Sequence, residues 1–172
     1  IGNKYLSLGA LYSGPCFPRD NLNFSKYLIK KKLNYSLPEA IDTTNNDQLG
    51  RYIKTFQKIN KLKNPKIGIC GLSYKKNTNL STRSPGLLLY NFFKKRYKTI
   101  IHDEYFPDIK TNQFEKDITN FATKSDVIFV CYPNDKFKKL EKINYKKNII
   151  IVDLWNFIKT TNKKIKLKSV GI

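Results

Sequence analysis

At 172 residues, 40% hydrophobic and 13% aromatic, the chain can bury one good core and does not have the composition of a disordered polymer. Its 33 Lys and Arg against 13 Asp and Glu give a formal net charge of +20, which favours anionic ligands. The lysines are scattered, as in Lys30-Lys31-Lys32, Lys94-Lys95-Arg96, Lys138-Lys139 and Lys163-Lys164, so a solvated face is expected rather than a nucleic-acid interface.

Three cysteines without a CxxC pair and a single histidine leave almost no ligands for zinc, so no metal site is expected. No apolar run approaches the roughly eighteen residues of a spanning helix. A reduced, cytoplasmic setting is the expectation. Methionine is absent, position 1 included, so the chain is expected to be a piece of a longer protein.

In chain order, the first twenty or so residues read as loop, punctuated by Gly9, Gly14, Pro15 and Pro18. A short helix is predicted over Asn23 to Lys32. A longer one opens at Pro38 and Glu39, with Ile41, Leu49, Tyr52, Ile53, Phe56, Ile59 and Leu62 forming one apolar stripe. The stripe has two open readings, packing on its own domain and facing a partner. Asn64-Pro65 breaks the helix and marks the domain boundary, giving residues 1–63 and 64–172.

Beyond it, short branched runs predict strands at Lys66 to Cys70, Thr99 to His102, Val127 to Cys131 and Ile149 to Val152. Helices are predicted over Pro85 to Arg96, around Phe114 to Thr123, and over Lys136 to Glu141. This alternation specifies an α/β fold, a Rossmann-like parallel sheet with helices on both faces. Ligands in such sheets gather at the carboxyl ends of the strands, where the loop of Tyr74 and Lys75 begins.

The most informative segment is Gly14-Pro15-Cys16-Phe17-Pro18-Arg19-Asp20. The prolines and glycine predict a stiff turn that holds the Cys16 side chain in one direction. A thiolate is the nucleophilic form of cysteine, and a nearby cation such as Arg19 favours it. Asp20 is then available to orient Arg19 or to act on water. The alternative for a free cysteine is a small buried side chain, which fits Cys70 and Cys131 inside apolar strands.

The heptapeptide resembles the active-site segment of the UDP-glucose/GDP-mannose dehydrogenase family. A second stretch in the right order, Lys66-Ile67-Gly68-Ile69-Cys70-Gly71-Leu72-Ser73-Tyr74-Lys75-Lys76-Asn77-Thr78 followed by Arg83-Ser84-Pro85, is similar to the start of that family's carboxy-terminal domain. The resemblance implies that residues 1–63 are the end of a central region with a catalytic cysteine loop and a dimerisation helix. Residues 64–172 correspond to the UDP-sugar-binding domain.

By the same resemblance Cys16 is the nucleophile of an NAD-dependent oxidation of the sugar C6 alcohol to a uronic acid, and Asp20 serves the hydrolytic water. Tyr5, Gly14, Phe17, Tyr74 and Lys75 correspond to substrate-binding positions, and Arg19 and Arg83 to positions that approach the cofactor. NAD is held mainly by an amino-terminal domain this segment does not contain, so the isolated chain is not expected to turn over. The substrate is a UDP-sugar or GDP-sugar, and the full-length protein a homodimer.

Two positions depart from the family pattern. Ser13 stands where a glycine is usual, which predicts crowding or a strained turn. Asp153-Leu154-Trp155-Asn156 replaces Asp-Gly-Arg-Asn, without the arginine that grips substrate. These departures motivate a second reading, a non-catalytic or decayed nucleotide-sugar-binding module.

Overall fold

A computed structural model describes residues 9–106 and 112–170; Tyr5 lies outside them. Two helices come first, α1 (Phe17–Lys30) and α2 (Ser36–Ile59). Then follow β1 (Ile67–Cys70), α3 (Pro85–Phe93), β2 (Thr99–His102), α4 (Ile118–Lys124) and β3 (Val127–Val130). A 3₁₀ segment (Asp135–Glu141), β4 (Ile149–Asp153) and β5 (Ile165–Ser169) complete the order. All five strands are parallel, in the order β2-β1-β3-β4-β5.

The central strands explain themselves. Ile67–Cys70 and Val127–Val130 are buried at every position, as unbroken apolar runs must be when both sheet faces are covered. Alternate residues serve different cores. Ile67, Ile69, Val127 and Phe129 face α2 and α3, whereas Cys70, Ile128 and Val130 face α4 and the 3₁₀ segment.

Strand β5 escapes the sequence reading because Ile165-Lys166-Leu167-Lys168 alternates apolar with charged residues. It is an edge strand with Lys166 and Lys168 exposed, and lysines there discourage pairing with another chain.

Several expectations about helices need correction, and the one over Lys136 to Glu141 is a 3₁₀ segment. The first helix starts at Phe17, not Asn23, because Pro18 sits in its first turn, where a missing N–H breaks no hydrogen bond. Cys16 is therefore the N-cap residue of a helix rather than a residue of an isolated turn. Phe114 does not begin a helix. It bridges to Ile101 beside β2, and α4 waits for Asp117, whose carboxylate caps Asn120 N–H at 2.7 Å.

The stripe on α2 packs on this chain's own sheet at its centre. Tyr52 and Phe56 are each 2% exposed, and Phe56 meets Phe93 edge-on with ring centroids 5.0 Å apart. Ile41, near the start of α2, is exposed; the helix ends at Ile59, with Asn60 already extended, and not at Asn64-Pro65, so Leu62, expected on the same stripe, lies beyond it and is exposed too.

The Tyr52 hydroxyl accepts the Leu11 N–H at 2.9 Å, and burial pushes its pKa up to about 12. The sign follows from linkage. A phenol of ordinary pKa near 10 in the unfolded chain ionises first there, so its contribution is complete below about pH 10 and lost as pH rises toward 12. Denaturant midpoints should therefore hold from neutral pH and fall through that window. Tyr52→Phe should make the fall shallower; an equally steep fall would remove Tyr52 as a cause.

Candidate active site

Residues before Cys16 are fastened to α2 by side chains. Tyr12 N–H donates to Asn45 Oδ1 at 2.7 Å, and Asn45 Nδ2 returns a bond to the Tyr12 carbonyl at 3.1 Å. The Tyr12 hydroxyl donates to the Asp42 carboxylate. Burial, and then Asp42, push Tyr12 up to about 12. Its ring lies 4.8 Å from that of Phe17. The start of α1 is thus set by α2 through one tyrosine.

The other side of the cysteine loop meets the loop after β1. Gly14 has φ +88°, and its N–H donates to the Thr82 carbonyl at 2.8 Å. A Cβ on Gly14 would lie 2.8 Å from the Tyr74 ring, so both its conformation and its neighbour require glycine. This contact brings Gly14 and Tyr74 together, with Lys75 Nζ 5.3 Å from the Tyr74 ring centroid.

Arg83 sits at φ +52° and donates from Nη2 to Asn46 Oδ1 at 3.1 Å. A non-glycine residue there stores on the order of 1 kcal/mol of strain. That strain is held between the β1 loop and α2.

Cys16 is exposed beside this junction in sequence, as the N-cap residue of α1. Phe17 is exposed as well. Arg19 Nε donates to Asp20 Oδ1 at 2.8 Å, and both side chains are more than 60% exposed. Asp20, then Cys16, push the guanidinium pKa of Arg19 up. A pair so exposed adds little stability and leaves both groups available to a ligand. Cys70 and Cys131 are fully buried, and burial pushes both thiols up.

The departures resolve differently. Ser13 is not among the described non-glycine residues with positive φ; the left-handed turn falls on Gly14, so the expected backbone strain is not at Ser13. Trp155 donates from Nε1 to the Cys131 carbonyl at 2.9 Å, and its ring would lie 3.0 Å from a Cβ on Gly9. It joins the loop after β4 to the start of the described chain. The Asp153 carboxylate holds that loop through the N–H groups of Trp155, Phe157 and Ile158 at 2.9, 2.5 and 2.6 Å.

Asp42, Asn45 and Asn46 lie outside the residues singled out from sequence. The available signal was polar: Asn45-Asn46 sits mid-helix, where asparagine is a poor helix former whose side chain seeks a backbone bond.

The turn after β1 does not fit a dinucleotide. A Cβ on Gly71 would meet the Tyr132 ring at 2.6 Å, and one on Gly86 would meet the Gly71 carbonyl oxygen at 1.9 Å, so these glycines serve packing within the protein. The acid at the end of β2, Asp103, is turned onto the chain's own amides.

A parallel sheet of order β2-β1-β3-β4-β5 with a polar loop at its carboxyl edge defines an α/β ligand-binding domain of the doubly wound class. The chain belongs to the UDP-glucose/GDP-mannose dehydrogenase family: residues 68–160 match that family's UDP binding domain.

UDP-glucose 6-dehydrogenase of Rickettsia prowazekii (strain Madrid E) is 26% identical over 171 residues, 92% of this chain and 39% of that protein. UDP-glucose 6-dehydrogenase TuaD of Bacillus subtilis (strain 168) is 31% identical over 88 residues, 51% of this chain and 19% of that protein. Among solved structures, GDP-mannose dehydrogenase from Pseudomonas aeruginosa superposes with TM-score 0.80 at 19% identity, covering 96% of this chain and 41% of that one. A UDP-glucose dehydrogenase from Pyrobaculum islandicum gives 0.79 at 18% identity, covering 97% and 39%. The chain thus spans about two fifths or less of the length of these relatives. Among the described residues no helix is long and apolar enough to cross a membrane.

Proposed function

We propose that this chain is the carboxy-terminal part of an NAD-dependent nucleotide-sugar 6-dehydrogenase, with UDP-glucose or a related UDP- or GDP-sugar as substrate. Residues 64–172 form the nucleotide-sugar-binding domain, and residues 1–63 carry the cysteine loop and the long helix. The observation that carries the reading is the seating of Gly14 on Tyr74. The loop of an exposed cysteine thereby meets the loop of a half-buried tyrosine and an exposed lysine.

In this reading Lys75 helps hold the nucleotide sugar, Tyr74 and Phe17 line the substrate, and the Cys16 thiolate attacks the C6 aldehyde. A C–S bond forms and the carbonyl oxygen takes a proton, giving a thiohemiacetal. NAD⁺, when bound, accepts the hydride in each of the two oxidations and leaves as NADH. Loss of the second hydride makes a thioester on Cys16. Water oriented by Asp20 then cleaves it, releasing the uronic acid and restoring the thiol. Sulfur suits this task because it stores the acyl group between two redox events. Arg19 and Arg83 approach the cofactor, which is held mainly by a domain outside this chain. The exposed end of α2 serves a homodimer, and the enzyme works in the cytoplasm.

Titration calorimetry with UDP-glucose tests the reading. The isolated chain should bind, and Lys75→Ala should weaken binding about tenfold or more, the scale of one charge-assisted contact. No NADH should form. Absence of binding, or NADH production by the chain alone, would contradict it. Trp155 favours a second reading, a binding module that no longer catalyses, because its indole is engaged with Cys131 and Gly9 where the family pattern has an arginine.

A further inference from the structure

We propose that Asp103 is a positioning residue for nucleotide-sugar binding: it sets the loop that presents Tyr74 and Lys75. This assignment rests on the function proposed above. Asp103 follows β2 and is 2% exposed. One carboxylate oxygen accepts the N–H groups of Leu72 and Ser73 at 2.6 and 2.9 Å. The other accepts Tyr105 N–H at 2.7 Å and lies 3.4 Å from the Tyr132 hydroxyl.

Leu72 and Ser73 are buried and lie just past the end of β1, where the sheet no longer takes their amides. Left without an acceptor, each donor would carry the full cost of desolvation. A carboxylate answers both at once, and its short bonds have the lengths of charge-assisted ones. Burying such a group is costly unless its lone pairs are used, and here both oxygens are.

The same side chain reaches the loop a second way. Tyr105, whose N–H it holds, donates its hydroxyl to Asn77 Oδ1 at 2.6 Å. Two points of the Leu72–Asn77 loop are therefore tied to one acid just past the neighbouring strand. In a dinucleotide-binding sheet the acid after the second strand meets a ribose hydroxyl. Asp103 faces inward, so its effect on a ligand passes through Tyr74 and Lys75.

Asp103→Asn keeps the volume but replaces one acceptor oxygen with an NH₂ group that opposes a backbone donor. In the full chain, Leu72 and Ser73 amide hydrogen exchange should quicken about tenfold or more. The Kd for UDP-glucose should rise about tenfold or more at a temperature where circular dichroism reports a folded protein.

Asp126→Asn supplies the control for lost stability alone. Asp126 lies at the opposite, amino end of the sheet, accepting Lys66 N–H at 2.7 Å and pairing with Lys147. That variant should lose stability and keep the Kd within about twofold.

Wild-type exchange at Leu72 and Ser73, or a wild-type Kd, in Asp103→Asn would overturn the assignment alone. Absence of UDP-glucose binding by the wild-type chain would overturn the functional reading and the assignment with it. Should Asp103→Asn not fold, wild-type exchange decides. Leu72 and Ser73 amides that open only with global unfolding, while Lys75 and Lys76 exchange faster, support the assignment. Fast exchange at all four overturns it.

Discussion

Gly86→Ala should destabilise the chain by at least about 3 kcal/mol, the upper end of what overpacking costs. The new Cβ would sit 1.9 Å from the Gly71 carbonyl oxygen and 3.1 Å from Leu72 Cα, backbone atoms that no side-chain rotation can move aside. Relief requires α3 to withdraw from the end of β1. That movement would also break the Ser84 hydroxyl bond to the Leu72 carbonyl, 2.5 Å long, which fixes the start of the helix. Total stabilities of about 5–15 kcal/mol leave little reserve for such a loss. Gly50→Ala is the contrasting case, since nothing lies within 4 Å of its Cβ position and glycine is a poor helix former. It should raise stability by up to about 1 kcal/mol. Urea midpoints for both variants check the pair, and a Gly86→Ala midpoint equal to wild type would refute the packing argument.

Cys16→Ser should separate binding from chemistry. In a protein that also carries the NAD-binding domain, uronate formation should fall by at least about a thousandfold, because serine lacks a thiolate's nucleophilicity and stores the acyl group poorly. UDP-glucose binding should stay within about twofold, since the proposed grip on the nucleotide comes from Lys75 and Tyr74. Steady-state NADH formation and calorimetry read the two effects. A variant within tenfold of wild-type turnover would remove Cys16 from the chemistry.

The sheet was legible where both faces are buried. Ile67–Cys70, Val127–Val130 and Ile149–Val152 are apolar at nearly every position. It was legible at the β2 edge and illegible at the other, where Lys166 and Lys168 make β5 look polar. Pro18 misled because proline is a breaker inside a helix and a good residue in its first turn, and only the structure shows which applies.

In the candidate site, Cys16, Tyr74 and Lys75 stood out by their neighbours in sequence. Asn45, Asp42 and Asp103 did not. Each acts on residues about thirty positions away, Asn45 on Tyr12, Asp42 on the Tyr12 hydroxyl and Asp103 on Leu72. A bond across that separation exists only after the chain has folded. Ser13 illustrates the converse, a substitution conspicuous in sequence whose expected left-handed turn falls on the adjacent Gly14, where it costs no strain.

The central claim is that a nucleotide sugar bound at Tyr74 and Lys75 presents its C6 carbon to Cys16. Cys16 is the exposed thiol, with Cys70 and Cys131 buried, so alkylation by iodoacetamide reads it selectively. The decisive measurement is the rate of that alkylation in the isolated chain with the 6-aldehyde of UDP-glucose, which forms the thiohemiacetal without any cofactor. The aldehyde should slow labelling at least about tenfold more than UDP does at equal saturation. Labelling at the same rate with and without the aldehyde would contradict the account.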